Sequence, residues 1–413
     1  MKRSTEFEPR ILTRSATGSR WRMALAGSPL VLTLGCSKGG PGTATPADHS
    51  QCQGQGVSAV ENLGLYTTSA VTNYFDQQTG TTGKLPPASG LDDGPLSLSL
   101  TLADNGQRLS PTLTIGNRVI AASGVKPVIL DTGSAGVTVD CQVLFDADTC
   151  SGFSSSTLPS YESTQNVYVT DIEVTRCYGA GAQSGYLAVS NVILGSGDAA
   201  VSAPMPFVVV TQYPNDPPAG AGLVGINSSV GGGLVSPMIY FDTSAAPEPL
   251  DTGFTLTGGS SPTLTVGLSS SVVDTFTTSP LTAVANPPST MPSHVSALLW
   301  SPYVPATIDV FNSGGSMSGE VSVLFDTGTQ PQGGNVNFGQ AGPDCSSDAC
   351  SLTVSFAEGS SSVNVLQESA ATLGTSDSRQ SIIGLDFLLS NSLSTQFMLD
   401  FSTGQAGFAL SGQ

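Results

Sequence analysis

At 413 residues the chain is long enough for two or three domains with sizeable cores. Only 11% of it is charged while Ser, Thr and Gly abound, which suits a secreted all-β protein rather than a helical one. From Cys36 onward seven basic side chains face 29 acidic ones, a formal charge of −22 that argues against nucleic acid as a partner. That excess reads either as a solubilising surface or as adaptation to acidic surroundings.

In chain order, Arg20 and Arg22 lead into the mildly apolar stretch Met23 to Leu34, too short to span a bilayer and readable as the core of a secretory signal. Leu32-Thr33-Leu34-Gly35-Cys36 resembles the lipobox of bacterial lipoproteins. That resemblance implies a leader over 1–35, lipid on Cys36 anchoring the protein to a membrane, and a bacterial cell-envelope location. A signal peptide with an incidental Cys, and a secreted product, is the other reading. Residues 36–90, rich in Gly, Pro, Ser, Thr and Gln, read as a low-complexity tether contributing little core, with a zymogen prosegment as the competing reading.

Six cysteines follow Cys36, an even number that in an exported chain favours disulfides over metal ligation or a catalytic thiol. Cys141 with Cys150 and Cys345 with Cys350 are the local pairs, which leaves Cys52 for Cys177 among the many connectivities open.

From Leu96 onward short apolar or alternating runs are separated by turn residues, and each predicts a strand: 96–102, 112–115, 127–130, 166–169, 186–194 and 205–210, then 254–256, 306–310, 321–325, 352–356, 396–400 and 406–410. The segment after Ile383-Gly384 is the best short helix candidate.

Two segments share one form: Val128-Ile129-Leu130-Asp131-Thr132-Gly133-Ser134 and Val323-Leu324-Phe325-Asp326-Thr327-Gly328-Thr329. In each, an apolar strand delivers an Asp into a tight turn. The strand fixes the Asp against a core, and Gly133 and Gly328 admit another backbone or a substrate where a Cβ would stand in the way. The hydroxyls of Ser134 and Thr329 and the turn amides are placed to bond the carboxylates, with Thr132 and Thr327 completing the loops. Two carboxylates in contact cannot both ionise cheaply. Asp131 and Asp326 are therefore expected to share one proton and to act as base and acid on a water between them. A third copy, Asp251-Thr252-Gly253, follows Glu248-Pro249-Leu250 rather than an apolar strand, has Phe254 in the hydroxyl's place, and reads as a loop.

The two framed motifs resemble those of pepsin-like aspartic peptidases, over roughly residues 96–410. Leu223-Val224-Gly225 and Ile382-Ile383-Gly384 are similar to the apolar-apolar-Gly segments that cross behind each catalytic loop of that family. Tyr178-Gly179-Ala180-Gly181 resembles its flap, which makes Tyr178 the flap tyrosine with Gly179 and Gly181 beside the substrate. Ser184 to Leu187 resembles the returning flap strand, and 397–409 the closing hairpin. The resemblance implies an all-β, bilobed fold of two pseudo-symmetric β-barrel-like lobes, 91–265 and 266–413, around a central cleft. It implies an endopeptidase acting on peptides or unfolded protein near apolar residues, as a monomer and without a cofactor. One departure is Thr138, at the place where the family often has a Trp hydrogen-bonded to the flap tyrosine.

A second reading, from another class, keeps the bilobed cleft as a lipid-anchored binding module without efficient catalysis. Metal and Ser-His chemistry find little support, because the histidines are only His49, in the tether, and His294, in a Pro- and Ser-rich loop.

Overall fold

The computed structural model describes residues 66–80, 84–120, 126–178, 181–213, 220–231, 233–283, 299–331, 334–339, 343, 350–356, 367–369, 372–374, 380–389 and 395–410. The expected leader, Cys36, His49, Cys52, Gly179, His294 and Cys345 lie outside them, as does the side chain of Cys177. The lipidated cysteine and the Cys52–Cys177 pairing therefore fall outside the described residues.

The described chain is built mostly of strands, and it is all-β and bilobed as expected. Among the described residues a nine-stranded sheet drawn from 113–226 forms the first lobe and a seven-stranded sheet drawn from 304–383 forms the second. A further seven-stranded sheet is shared, joining Leu96–Ala103 and Arg108–Pro111 to Asp251–Thr257, Thr263–Leu268 and Thr277–Pro280, and to Thr395–Asp400 and Gln405–Leu410. This sharing corrects two expectations. A lobe boundary between 265 and 266 would cut Thr263–Leu268, which pairs with Leu96–Ala103 on one side and Asp251–Thr257 on the other. Asp251-Thr252-Gly253 is also not a loop: it opens a strand whose Gly253 pairs with Asp400, where strand partners on both sides override its weak local pattern.

Each lobe repeats one three-strand arrangement. In the first, Val128–Asp131 is buried throughout and runs parallel to Gly222–Ile226, which also pairs antiparallel with Ala135–Asp140. In the second, Gly315–Phe325 runs parallel to Gln380–Ile383, which pairs antiparallel with Gly334–Asn337. The strand carrying the Asp is thus separated from the strand after its turn by a third, inserted strand. Both strands are buried on both faces as they approach the Asp, which is why the segments leading to each Asp read as unbroken apolar runs. The short helix Asp386–Leu389 follows Ile383-Gly384, as the sequence suggests.

The segment 36–90 is not a tether throughout. Thr68–Thr79 is a helix, with Thr67 accepting from the Ala70 amide at its start and Gly80 at φ 68° closing it. Its Val71 and Phe75, four residues apart on one face, are buried with Tyr66 against Tyr168, Ile172, Val174 and Leu234. Cys141–Cys150 is a disulfide with a Cα–Cα distance of 5.8 Å, tying two short helices together. Cys350 is also disulfide-bonded, while its expected partner Cys345 lies outside the described residues. Among the described residues no helix is long and apolar enough to cross a membrane.

Candidate active site

The two Asp-Thr-Gly loops meet. Within the first, the Gly133 amide donates to Asp131 Oδ1 at 2.7 Å and the Ser134 hydroxyl to Oδ2 at 2.6 Å. The second matches it: the Gly328 amide donates to Asp326 Oδ1 at 2.8 Å and the Thr329 hydroxyl to Oδ2 at 2.6 Å. Both carboxyls are 2% exposed, so these bonds orient groups that water scarcely reaches.

Across the junction the loops bond each other. Thr132 Oγ1 accepts from the Thr327 amide at 2.9 Å and donates to the Phe325 carbonyl at 2.5 Å. Thr327 Oγ1 accepts from the Thr132 amide at 3.0 Å and donates to the Leu130 carbonyl at 2.8 Å. The glycines make the contact possible. A Cβ on Gly133 would lie 2.5 Å from the Asp326 carboxyl, and one on Gly328 would lie 2.6 Å from that of Asp131. Each carboxyl therefore packs on the other loop's glycine, with its Oδ1 toward the junction.

Behind the loops run the expected Gly segments. Gly225 pairs with Asp131 and has no room for a Cβ beside Ser134, and the Asn227 amide donates to the Ser134 carbonyl at 2.9 Å. In the second lobe the Asp326 amide donates to Ile383 and the Leu385 amide to Thr329. These bonds fix each Asp from its backbone side as well as from its carboxyl.

Asp326 holds its proton well above the usual carboxylate range. Burial is the main cause, followed by the charge of Asp131 and a hydrogen bond with it; the Thr329 hydroxyl and Gly328 amide pull the other way and are outweighed. A coupled pair with one proton between its members is the consequence.

Val167–Tyr178 and Gly181–Ser196 form the expected hairpin, with Tyr178 paired to Gly181. Tyr178 is buried, and the Arg176 guanidinium lies over its ring, 5.3 Å from the centroid. Thr138 donates through Oγ1 to Gln183 Oε1 of the returning strand, at 3.5 Å. Tyr213 lies near enough to Tyr178 and Asp140 for both to add to the rise in its phenol pKa, which burial dominates.

Sequence reasoning missed three residues of this region. Buried Arg108 donates through Nη1 to the Gly328 carbonyl, and buried Arg176 donates through Nη2 to the Ala135 carbonyl at 2.6 Å, so each loop carries one arginine. In a chain with only seven basic residues beyond Cys36, the scarcity of such side chains was the available signal. Tyr303 is the third: burial and then the Asp326 charge push its phenol up to about 12, and its oxygen is buried with no hydrogen-bond partner among the described residues. Nothing local in its Ser-Pro-Tyr setting pointed to it. Among the described residues no group of His, Cys, Asp and Glu could hold a metal ion.

No family model and no curated protein matches this chain. Among solved structures, it is similar to the aspartic proteinase from Irpex lacteus, at 15% identity and a TM-score of 0.49, over 77% of this chain and 98% of that one.

Proposed function

We propose that this protein is an aspartic endopeptidase, cleaving peptide bonds of extended or unfolded protein near apolar residues in acid solution. The observation that carries the reading is the carboxyl pair: two buried Asp side chains packed on each other's glycine, oriented by matching donors, one with a strongly raised proton affinity. The ionised member takes a proton from a water between them as the protonated member donates to the scissile carbonyl oxygen. The resulting hydroxide adds to the carbonyl carbon and gives a tetrahedral intermediate with no covalent link to the enzyme. Collapse, with a proton passed to the leaving nitrogen, breaks the peptide bond and restores the pair. An extended substrate lies along the cleft beneath the hairpin of Tyr178, adding backbone hydrogen bonds and filling apolar pockets.

The test is cleavage of an unfolded protein from acid to neutral pH by wild type, Asp131→Asn and Asp326→Asn, with product termini read by mass spectrometry. Expected are cleavage in acid by wild type, inhibition by pepstatin, and a loss of about 10³-fold or more in each variant. Undiminished cleavage by both variants would exclude the pair as the catalytic groups.

A further inference from the structure

The flap hairpin carries a cation that the chemistry above leaves unused. Arg176 precedes Tyr178 by two residues on one strand, so both side chains leave the same face. Its guanidinium carbon is 5.3 Å from the centre of the Tyr178 ring, within cation–π range. Nη2 donates to the carbonyl of Ala135 at 2.6 Å, and Ala135 follows Ser134, whose hydroxyl holds Asp131. The same planar group therefore touches the flap tyrosine and the first catalytic loop. It is 5% exposed, and its Nη1 is buried with no hydrogen-bond partner among the described residues. A buried cation with an idle donor is unfavourable where packing is the only requirement, since Leu or Met would fill the space without stranding a polar group.

We infer that Arg176 is a positioning residue, which fixes Tyr178 at a set height over the Asp131 loop and so sets the gap in which substrate lies. The inference rests on the aspartic peptidase reading. Thr138 donates to Gln183, while the arginine bonds the carbonyl next to Ser134, so Arg176 joins the hairpin to the loop. A rigid guanidinium suits the task because it presents a flat face to a ring while its edge donates in plane.

Arg176→Met, Arg176→Lys, Tyr178→Ala and the double variant Arg176→Met/Tyr178→Ala test it, through kcat and KM, thermal unfolding, and hydrogen exchange of amides in 167–196. Arg176→Met is expected to lower kcat/KM on the order of 10²-fold, mostly in kcat, as a misplaced substrate does. Flap amides should exchange faster while the unfolding midpoint barely moves. Arg176→Lys, which keeps a charge over the ring, should recover part of the loss. In the Tyr178→Ala background Arg176→Met should add little, because its target is gone. Wild-type kcat and flap exchange in Arg176→Met would overturn the inference. So would a loss of activity that only tracks lowered stability and faster exchange throughout the protein. If wild type cleaves nothing, the peptidase reading falls, and flap exchange alone then decides whether Arg176 holds the hairpin.

Discussion

Thr132 and Thr327 show how much one hydroxyl can do between two loops. Each accepts from the other's amide and donates to the carbonyl before the other's Asp, so Thr132→Val takes the acceptor from the Thr327 N–H and one donor from the Phe325 carbonyl in a buried junction. At about 1–3 kcal/mol for each of the two groups, the variant should lose about 2–6 kcal/mol, read from its denaturant midpoint, while Thr132→Ser should stay close to wild type. A loss as large in Thr132→Ser would point to the methyl group instead. The sequence displayed Asp131, Asp326 and the hydroxyls of Ser134 and Thr329 in their orienting places, because those contacts are local. It did not disclose the role of Thr132, whose partner is Thr327, nor that of Arg176, whose partner is Ala135. Such contacts depend on how the lobes and the hairpin dock.

Among the elements, strands were the most legible, because burial on one or both faces writes itself as alternation or as an apolar run. The runs 166–169 and 205–210 found only the most apolar parts of Val167–Tyr178 and Ala199–Gln212, whose ends are more polar. The order of the shared sheet was not legible, since it pairs residues near 100, 265 and 400. Thr68–Thr79 was missed for a different reason: a Thr- and Gln-rich helix with two core residues carries little periodic signal, although its caps Thr67 and Gly80 stood in the sequence. Those two residues matter. Phe75 is 1% exposed and meets Tyr168 edge-on at 5.1 Å, so Phe75→Ala should cost about 3–5 kcal/mol, checked by thermal unfolding. An unchanged midpoint would mean that the helix adds nothing to the lobe it covers.

For the whole molecule, the raised proton affinity of Asp326 becomes a pH dependence of folding. The native state binds this proton more tightly than the unfolded chain, whose ordinary value is 3.8. The contribution is therefore complete below that value and is lost as pH rises through the folded pKa. Self-repulsion of a chain with formal charge −18 at neutrality acts in the same direction, easing as carboxylates gain protons. Wild type should accordingly be more stable in mild acid than at neutral pH. Asp326→Asn, which needs no proton to be neutral, should be the more stable of the two at pH 7, with the gap closing in acid. Thermal unfolding of both across that range measures the difference, and a less stable Asp326→Asn at pH 7 would contradict it.

The crossed bonds of Thr132 and Thr327 also set when, in the life of a chain, the carboxyl pair can exist. On a ribosome the loop of Asp131 emerges long before that of Asp326, and until then the amide of Thr132 lacks its acceptor on Thr327 and Asp131 has no second carboxyl beside it. The shared sheet is completed later still, when Thr395–Asp400 reaches Asp251–Thr257. A chain still being made, or one broken between the loops before they dock, would hold two separate and ordinary carboxylates. The destructive chemistry proposed for the finished protein is thereby withheld from its own synthesis, with no separate inhibitor needed for that interval.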